Sequence, residues 1–264
     1  MSTTMSTTTP NPSLVIRTVA PNITTFSVPF LRYNKFKFGG RATLVRLATG
    51  SLAIFSPIPL SPDVSSTISN LGGNLRYIVA PDIEHHMQLG PYKTAYPTAT
   101  VIGPEGLREK RAKQGDQDVP FDYEFTRANK HELKLPEELA REFEIEYWDG
   151  HSNKELVFLH KPSRTLIEAD LLFNLPAREQ YSKTGEDPTK GVFNKLMLHF
   201  TNTKPGHKGQ QRFIWYAMMR DKASFDESAK RVAAWNFDRI IPCHGDVIET
   251  GGNEVFRRLF AWHL

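Results

Sequence analysis

The chain has 264 residues, of which 39% are hydrophobic and 23% charged, a balance typical of a single globular α/β unit. Its formal net charge is only +4 and it has no dense Lys/Arg block, so nothing in the composition indicates a nucleic-acid partner. No apolar run approaches the ~18 residues that a membrane span needs, and the single cysteine, Cys243, makes an internal disulfide impossible. These features favour a cytoplasmic protein that acts on a small-molecule substrate and has no membrane partner.

The first segment, residues 1–13, is rich in Ser, Thr and Pro. It lacks the apolar core of a signal peptide and the basic residues of a transit peptide. We therefore predict a disordered tail over 1–13 and a single folded domain over 14–264.

The first half of the domain predicts strands and helices in alternation. Strands are expected at 14–19, 23–28, 41–47 and 51–55, with Thr49 and Gly50 in the turn of a hairpin. Ser61 followed by Pro62 is a typical helix start, and this helix is expected to end before the pair Gly72-Gly73. Further strands are predicted at 76–80 and 98–102, and further helices at 86–96 and 104–113.

The second half predicts another strand-rich region and closing helices. Residues 114–134 are polar and predict a loop, after which strands are expected at 142–148, 156–160 and 164–168. Residues 175–209 are irregular and rich in Lys, Pro and Gly, which indicates a long insertion that is mobile or covers a pocket. Helices at 210–220, at 225–235 with Ser224 or Asp226 as the cap, and at 253–262 flank a short buried strand at 239–242. The alternation as a whole predicts an α/β layered structure.

Four histidines and one aspartate stand where predicted strands end: His85, His86, His151, Asp170 and His244. The ends of strands are where ligand sites form in α/β sheets. Imidazole and carboxylate ligands suit zinc, iron or manganese, and a set of three or four can leave a position open for water. A single histidine after a strand is usually an ordinary loop residue, so the prediction of a metal site depends on the five occurring together.

The order of these residues resembles the metallo-β-lactamase superfamily over about 14–262. The first signature of that family, His-x-His-x-Asp-His between a strand and a helix, corresponds to Pro-Asp-Ile-Glu-His-His at 81–86. Its later His, Asp and His signatures correspond to His151, Asp170 and His244. The resemblance implies an α/β fold, a four-layer αβ/βα sandwich with metal at the edge between two β-sheets. The sequence looks closest to an uncharacterised branch that has no assigned reaction.

This chain departs from the family pattern at the first signature. Pro81 and Ile83 stand where the family has its first two histidines, and His85 replaces the aspartate. Of the ligands of the usual three-histidine metal, only His151 would remain. The resemblance therefore implies one transition-metal ion rather than two, zinc first and iron second, held by His85, His86, Asp170 and His244 with His151 nearby.

Three functions remain open at this point. A metal-dependent hydrolase would direct a metal-activated water at an ester, thioester, lactone or phosphodiester. A non-catalytic binding domain would be consistent with the loss of the two histidines. An iron-dependent oxidoreductase could use the same ligands. Asp82, Glu84 and Asp246 flank the predicted site and could serve as a base or orient a ligand, although charged loop residues are usually just solvated.

Overall fold

The computed structural model describes residues 9–264. The predicted disordered tail falls mainly on residues 1–8, which lie outside the described residues, so the tail and the domain boundary at 14 stay predictions. Asn11 already takes part in a turn, since its carbonyl accepts the N–H of Leu14 at 3.0 Å. Between residues 9 and 264, no helix has the length and apolar character to cross a membrane.

The first half of the chain forms a seven-stranded sheet and a separate small hairpin. The strands of the sheet are β1 Val15–Ala20, β2 Ile23–Val28, β5 Gly40–Arg46, β6 Leu52–Phe55, β7 Leu75–Val79, β8 Thr100–Pro104 and β9 Tyr123–Phe125. Their order in space is β1-β2-β5-β6-β7-β8-β9, antiparallel as far as β6 and parallel from β6 onwards. The hairpin pairs β3 Leu31–Arg32 with β4 Phe36–Lys37.

The second half contributes a four-stranded sheet. Its strands are β10 Phe143–Trp148, β11 Glu155–His160, β12 Thr165–Ile167 and β13 Arg239–Ile241, in that order. The last two strands run parallel, and they therefore end at the same edge of the sheet.

The helices cover the outer faces and one end of the sheets. They are α1 Pro62–Asn70, α2 Leu89–Ala95, α3 Leu107–Gln114, α4 Glu137–Glu142, α5 Arg178–Tyr181, α6 Val192–Phe200, α7 Gly209–Phe213, α8 Lys222–Ala234 and α9 Gly252–Leu259. A π-helical turn, Ile214–Met218, continues α7.

Apolar residues on both faces of the central strands produce four layers. In β5, Leu44 packs with residues of α1 such as Val64, whereas the next residue, Val45, faces the second sheet. In β11, Phe158 faces the first sheet and Leu159 faces the layer of α8 and α9. Each fully buried large apolar side chain contributes about 1.5–3 kcal/mol. The predicted four-layer αβ/βα sandwich is confirmed.

Three local predictions were wrong. Helix α8 begins at Lys222 because Asp221, rather than Ser224 or Asp226, accepts the backbone N–H groups that open the helix. The 114–134 loop contains β9, which pairs with β8. The 175–209 segment contains α5 and α6 and is not irregular throughout, because α6 places apolar side chains at helical spacing.

The β3–β4 hairpin and α6 lie together beside the loops that end the strands. The N–H of Lys37 donates to Asn194 Oδ1 at 2.9 Å, and the rings of Phe36 and Phe193 meet edge to face. These two elements therefore form one wall of the cavity described below.

Candidate metal site

Three side chains from three different loops converge at the edge between the two sheets. His85 follows β7, Asp170 follows β12 and His244 follows β13. Each offers one ligand atom, and these atoms lie within 4.8 Å of one another. Because β12 and β13 are parallel neighbours, the loops that carry Asp170 and His244 leave the sheet side by side.

The spacing of these atoms fits the coordination shell of a metal ion. His85 Nε2 lies 3.2 Å from His244 Nε2, and His244 Nε2 lies 3.2 Å from Asp170 Oδ1. Tetrahedral zinc with ligands at about 2.0–2.1 Å separates neighbouring ligand atoms by roughly 3.3 Å. The three residues therefore fit a transition metal in both donor type and spacing.

The second nitrogen of each imidazole is held by a fixed acceptor. His244 Nδ1–H donates to the carbonyl of Gly39 at 2.6 Å, and His85 Nδ1–H donates to Asp82 Oδ1 at 2.9 Å. Asp82 is itself fixed, because it also accepts the backbone N–H groups of Glu84 and His85. Both Nε2 atoms are thus directed at the centre of the cluster, as in many metal sites where an outer partner sets the tautomer.

Asp170 is fixed from two sides. Its Oδ2 accepts Asn153 Nδ2–H at 2.7 Å, which leaves Oδ1 for the cluster. Its backbone N–H and that of Ala169 donate to the two carboxylate oxygens of Glu155, at 2.9 and 2.7 Å. Glu155 is fully buried, and burial together with the carboxylates of Asp82 and Asp170 raises its pKa.

The carboxylates near the cluster favour a positive charge on His85. Burial lowers the pKa of His85, but the carboxylates of Asp82 and Asp170 raise it more, to about 10. Burial raises the pKa of Asp170, but His85 and His244 lower it more, and the net shift is downward. Without a metal ion, the proton on His85 supplies the positive charge, and a metal ion would displace that proton.

His86 lies outside this cluster. Its ring is on the wall of the adjacent cavity, but its Nδ1 accepts a hydrogen bond from Arg111 Nη1 at 3.3 Å. Arg111 also donates to the backbone carbonyl of His86 at 2.7 Å. Burial and the cations of Lys110 and Arg111 lower the pKa of His86. Because a guanidinium on one side of the ring opposes a second cation, we leave His86 out of the ligand set.

His151 is buried close to the cluster without joining it. Its Nδ1 accepts the N–H of Asn153 at 3.3 Å, and its ring stacks on Phe225. Its Nε2 is buried and has no hydrogen-bond partner within residues 9–264. Burial lowers the pKa of His151 to about 4, so the ring is neutral. His151 therefore positions Asn153, which in turn holds Asp170.

Arg41 supports the site and was missed in the sequence. It is fully buried, and its Nη1 donates to the carbonyls of Pro242 and Gly245 at 2.7 and 2.6 Å, on either side of His244. Its Nη2 pairs with Glu179 at 3.2 Å. The sequence offered one signal for a buried arginine: Arg41 lies in a predicted strand that has apolar residues on both faces.

A cavity of about 570 Å³ opens above the cluster. His85, Asp170 and His244 form part of its floor. Around His244 stand the rings of Phe38, Phe173 and Phe30, at centroid distances of 5.5, 5.8 and 6.1 Å. The arrangement is an apolar pocket with a few convergent polar groups, which is typical of a small-molecule site.

Solved structures with this fold include metallo-β-lactamases. One from Hirschia baltica has a TM-score of 0.61 at 9% identity, covering 95% of this chain and 97% of that chain. The metallo-β-lactamase FIM-1 from Pseudomonas aeruginosa, in its mono-zinc form, has a TM-score of 0.58 at 11% identity, covering 95% and 94%. The metal-soaked Flv1 flavodiiron core from Synechocystis has a TM-score of 0.62 at 15% identity, covering 95% of this chain and 60% of that chain.

At these identities the likeness establishes the fold, and it confirms the resemblance inferred from the sequence. No functionally curated protein matches the chain in sequence at a significant level. The family described as "Domain of unknown function (DUF4336)" matches residues 37–195. The chain therefore belongs to the DUF4336 family, and it has the metallo-β-lactamase fold.

Proposed function

We propose that this chain is a metal-dependent hydrolase in which His85, Asp170 and His244 hold one transition-metal ion. The observation that carries the proposal is the spacing of 3.2 Å from His244 Nε2 to both His85 Nε2 and Asp170 Oδ1 on the floor of an apolar cavity. Three protein ligands leave a coordination position open for water or substrate, as in catalytic zinc sites.

Zinc is the first candidate and iron the second. Two imidazoles and one carboxylate suit either metal, and the separation of 3.2 Å from His244 Nε2 to the other two ligand atoms fits both. FIM-1, which shares the fold, is described in a mono-zinc form, and Flv1 is described as a flavodiiron core. Loading with each metal in turn decides between them.

When bound, such an ion lowers the pKa of a coordinated water toward ~7 and polarises a carbonyl or phosphoryl oxygen. The residues of the chain hold the geometry: Asp82 and the Gly39 carbonyl orient the imidazoles, and Asn153 restrains Asp170. The phenylalanine rings around His244 keep bulk water away, which strengthens the electrostatic interactions inside the cavity.

The neighbouring acidic side chains indicate which bonds this site can break. Asp82 accepts from His85, and Glu84 is paired with Arg32 at 3.2 Å and Lys110 at 2.6 Å. Neither is free to protonate a leaving group. We therefore expect substrates whose leaving group departs without a proton donor, such as reactive esters, thioesters and lactones, in preference to amides.

The test is hydrolysis by protein loaded with zinc or iron, measured on a panel of esters, thioesters, lactones, phosphodiesters and an amide. We expect turnover of at least one of the first three classes. It should fall at least about a hundredfold in Asp170→Asn and His244→Ala and stay unchanged in the exposed control His207→Ala.

Two results would contradict this function. Tightly held zinc with no turnover of any compound would indicate a binding domain. Iron that reacts with oxygen, without hydrolysis, would indicate an oxidoreductase.

A further inference from the structure

The mouth of the cavity is apolar, and its apolar surface continues onto the exterior of the protein. Tyr33 of the hairpin turn and Met87 both line the cavity, yet they are 73% and 58% exposed. Helix α6 places Met197 in the cavity wall and leaves Leu196 and Phe193 exposed at 60% and 52%. Exposed apolar side chains that are contiguous with a cavity indicate a ligand-binding surface.

The hairpin and α6 meet along this surface. Phe36 lines the cavity, and its ring contacts Phe193 edge to face at 6.1 Å. Phe38, on the same side of the cavity, contacts both Phe173 and His244. A continuous apolar path therefore runs from the metal cluster to the exposed face of α6.

The charged side chains in the cavity wall are already neutralised. Arg32 pairs with Glu84, and Arg41 pairs with Glu179. Burying a charged ligand group without a partner would be costly. The polar groups left for a ligand are neutral side chains of the lining, such as Asn153, Gln88 and Asn11, together with the metal cluster and His86 beside it.

We propose that the substrate class is an acyl compound with a long hydrocarbon chain. The ester, thioester or lactone carbonyl would lie at the metal cluster, and the chain would extend between the β3–β4 hairpin and α6. The position of the carbonyl rests on the proposed hydrolase function, whereas the chain-binding path rests on the cavity walls alone.

Two measurements on the zinc-loaded full chain test this inference. The first is binding of the fluorescent fatty acid cis-parinaric acid. We expect saturable binding to one site, at least about tenfold weaker in Leu196→Asp and Leu196→Gln. The matched control is Leu264→Asp, which changes another exposed leucine that lies outside α6 and should bind as the parent does.

The second measurement is hydrolysis of p-nitrophenyl esters with acyl chains of increasing length. We expect kcat/KM to rise about three- to fourfold per added methylene until the cavity is full. Leu196→Asp should flatten this dependence, and Leu264→Asp should keep the dependence of the parent. Thermal melts of both leucine variants check that the fold is intact.

Several results would overturn the inference: no saturable binding of the fatty acid, equal binding in Leu196→Asp, or kcat/KM independent of chain length in an active enzyme. Binding to phosphatidylcholine vesicles that depends on Leu196, without binding of the monomeric fatty acid, would make the same surface a membrane contact and would also overturn it. Fatty-acid binding that depends on Leu196, with no ester hydrolysed, would support the chain site and remove the hydrolase function.

Discussion

At the scale of single residues, the hydrogen bond made by one ring nitrogen determines what the other nitrogen can bind. In His85 and His244 the Nδ1 atom donates to an oxygen, which directs Nε2 into the cluster. In His86 and His151 the Nδ1 atom accepts a hydrogen bond, from Arg111 and from a backbone N–H respectively. The four histidines therefore divide into the two proposed ligands, His85 and His244, and two neutral rings, His86 and His151.

The first prediction concerns this division. His85→Ala and His244→Ala should weaken zinc binding by roughly a hundredfold or more, because loss of an outer-shell partner alone already costs 10–100-fold. His86→Ala and His151→Ala should stay within about tenfold of the parent. Competition with a zinc chelator measures the zinc affinity of all four variants. If His86→Ala loses as much zinc affinity as His244→Ala, His86 is also a ligand.

The second prediction is the pH dependence of zinc binding. The pKa of metal-free His85 is raised above its ordinary value, to about 10, so this ring carries a proton throughout the physiological range. Zinc must displace that proton, and its affinity should fall about tenfold for each unit that the pH drops between about 9 and 6. Calorimetry in buffers of different ionisation enthalpy should detect release of about one proton. Zinc binding that releases no proton would contradict the assignment of His85.

The sequence predicted the positions of the cluster better than the roles of its members. His85, Asp170 and His244 follow strands, so the edge of the sheet could be inferred from periodicity and order. The orientation of each ring depends on partners far away in the sequence, such as Gly39 for His244 and Arg111 for His86. No local pattern encodes such contacts, and without them His86 and His151 could not be separated from the three residues that we propose as ligands.

At the scale of elements, the loop after β13 is fixed by close backbone approach. Gly245 has a φ of +95°, and a Cβ at this position would overlap the carbonyl oxygen of Asn174. Asn174 also donates its N–H to the carbonyl of His244 at 3.2 Å. The placement of His244 therefore depends on glycine as the next residue.

The third prediction follows from that contact. Gly245→Ala should lower the free energy of unfolding by about 3 kcal/mol or more and weaken zinc binding, because it adds a clash to the backbone strain. The matched control is Gly72→Ala, whose φ is also positive at +114° but whose Cβ would meet nothing within 4 Å. The control should cost about 1–2 kcal/mol and leave zinc binding unchanged. Urea unfolding measures the stability of the two variants, and chelator competition measures their zinc affinity. Equal effects in the two variants would contradict a role for the contact between Gly245 and Asn174.

The fourth prediction concerns Arg41 in β5. Arg41→Met should destabilise the fold by about 2–5 kcal/mol, because it leaves the carbonyls of Pro242 and Gly245 without their buried donor and leaves Glu179 with Arg17 as its remaining arginine partner. These two carbonyls lie on either side of His244, so zinc affinity should fall. The control is Arg46→Met, an exposed arginine of the same strand, which should stay within about 0.5 kcal/mol. Unchanged zinc affinity in a folded Arg41→Met protein would show that Arg41 does not position His244.

The elements themselves differ in how far the sequence could predict them. The strand Ile23–Val28 and the helix that Ser61 caps have local signals, namely apolar β-formers and Pro at the first helical turn. The β3–β4 hairpin and α6 were missed, because short elements that pack on loops are specified by contacts such as Phe36 with Phe193. These missed elements form the wall on which the proposed chain-binding path depends.

At the scale of the whole molecule, apolar side chains build the layered fold, with Pro81 and Ile83 at the first signature. The core between the sheets and the two cores beneath the helices are built from apolar side chains, and Ile83 packs against the core beneath α1. At position 83 the chain therefore has a side chain that packs with the core rather than one that could bind a metal. The fold, by itself, leaves the reaction open.

Anomalous diffraction at the zinc edge, from crystals of the zinc-loaded protein, tests most directly whether the three residues of the cluster hold one metal ion. We predict one peak per chain, at about 2.0–2.2 Å from His85 Nε2, His244 Nε2 and one carboxylate oxygen of Asp170. A peak bound by His86 or His151 in place of these atoms, two peaks in the site, or no peak there after loading would contradict a single metal held by His85, Asp170 and His244.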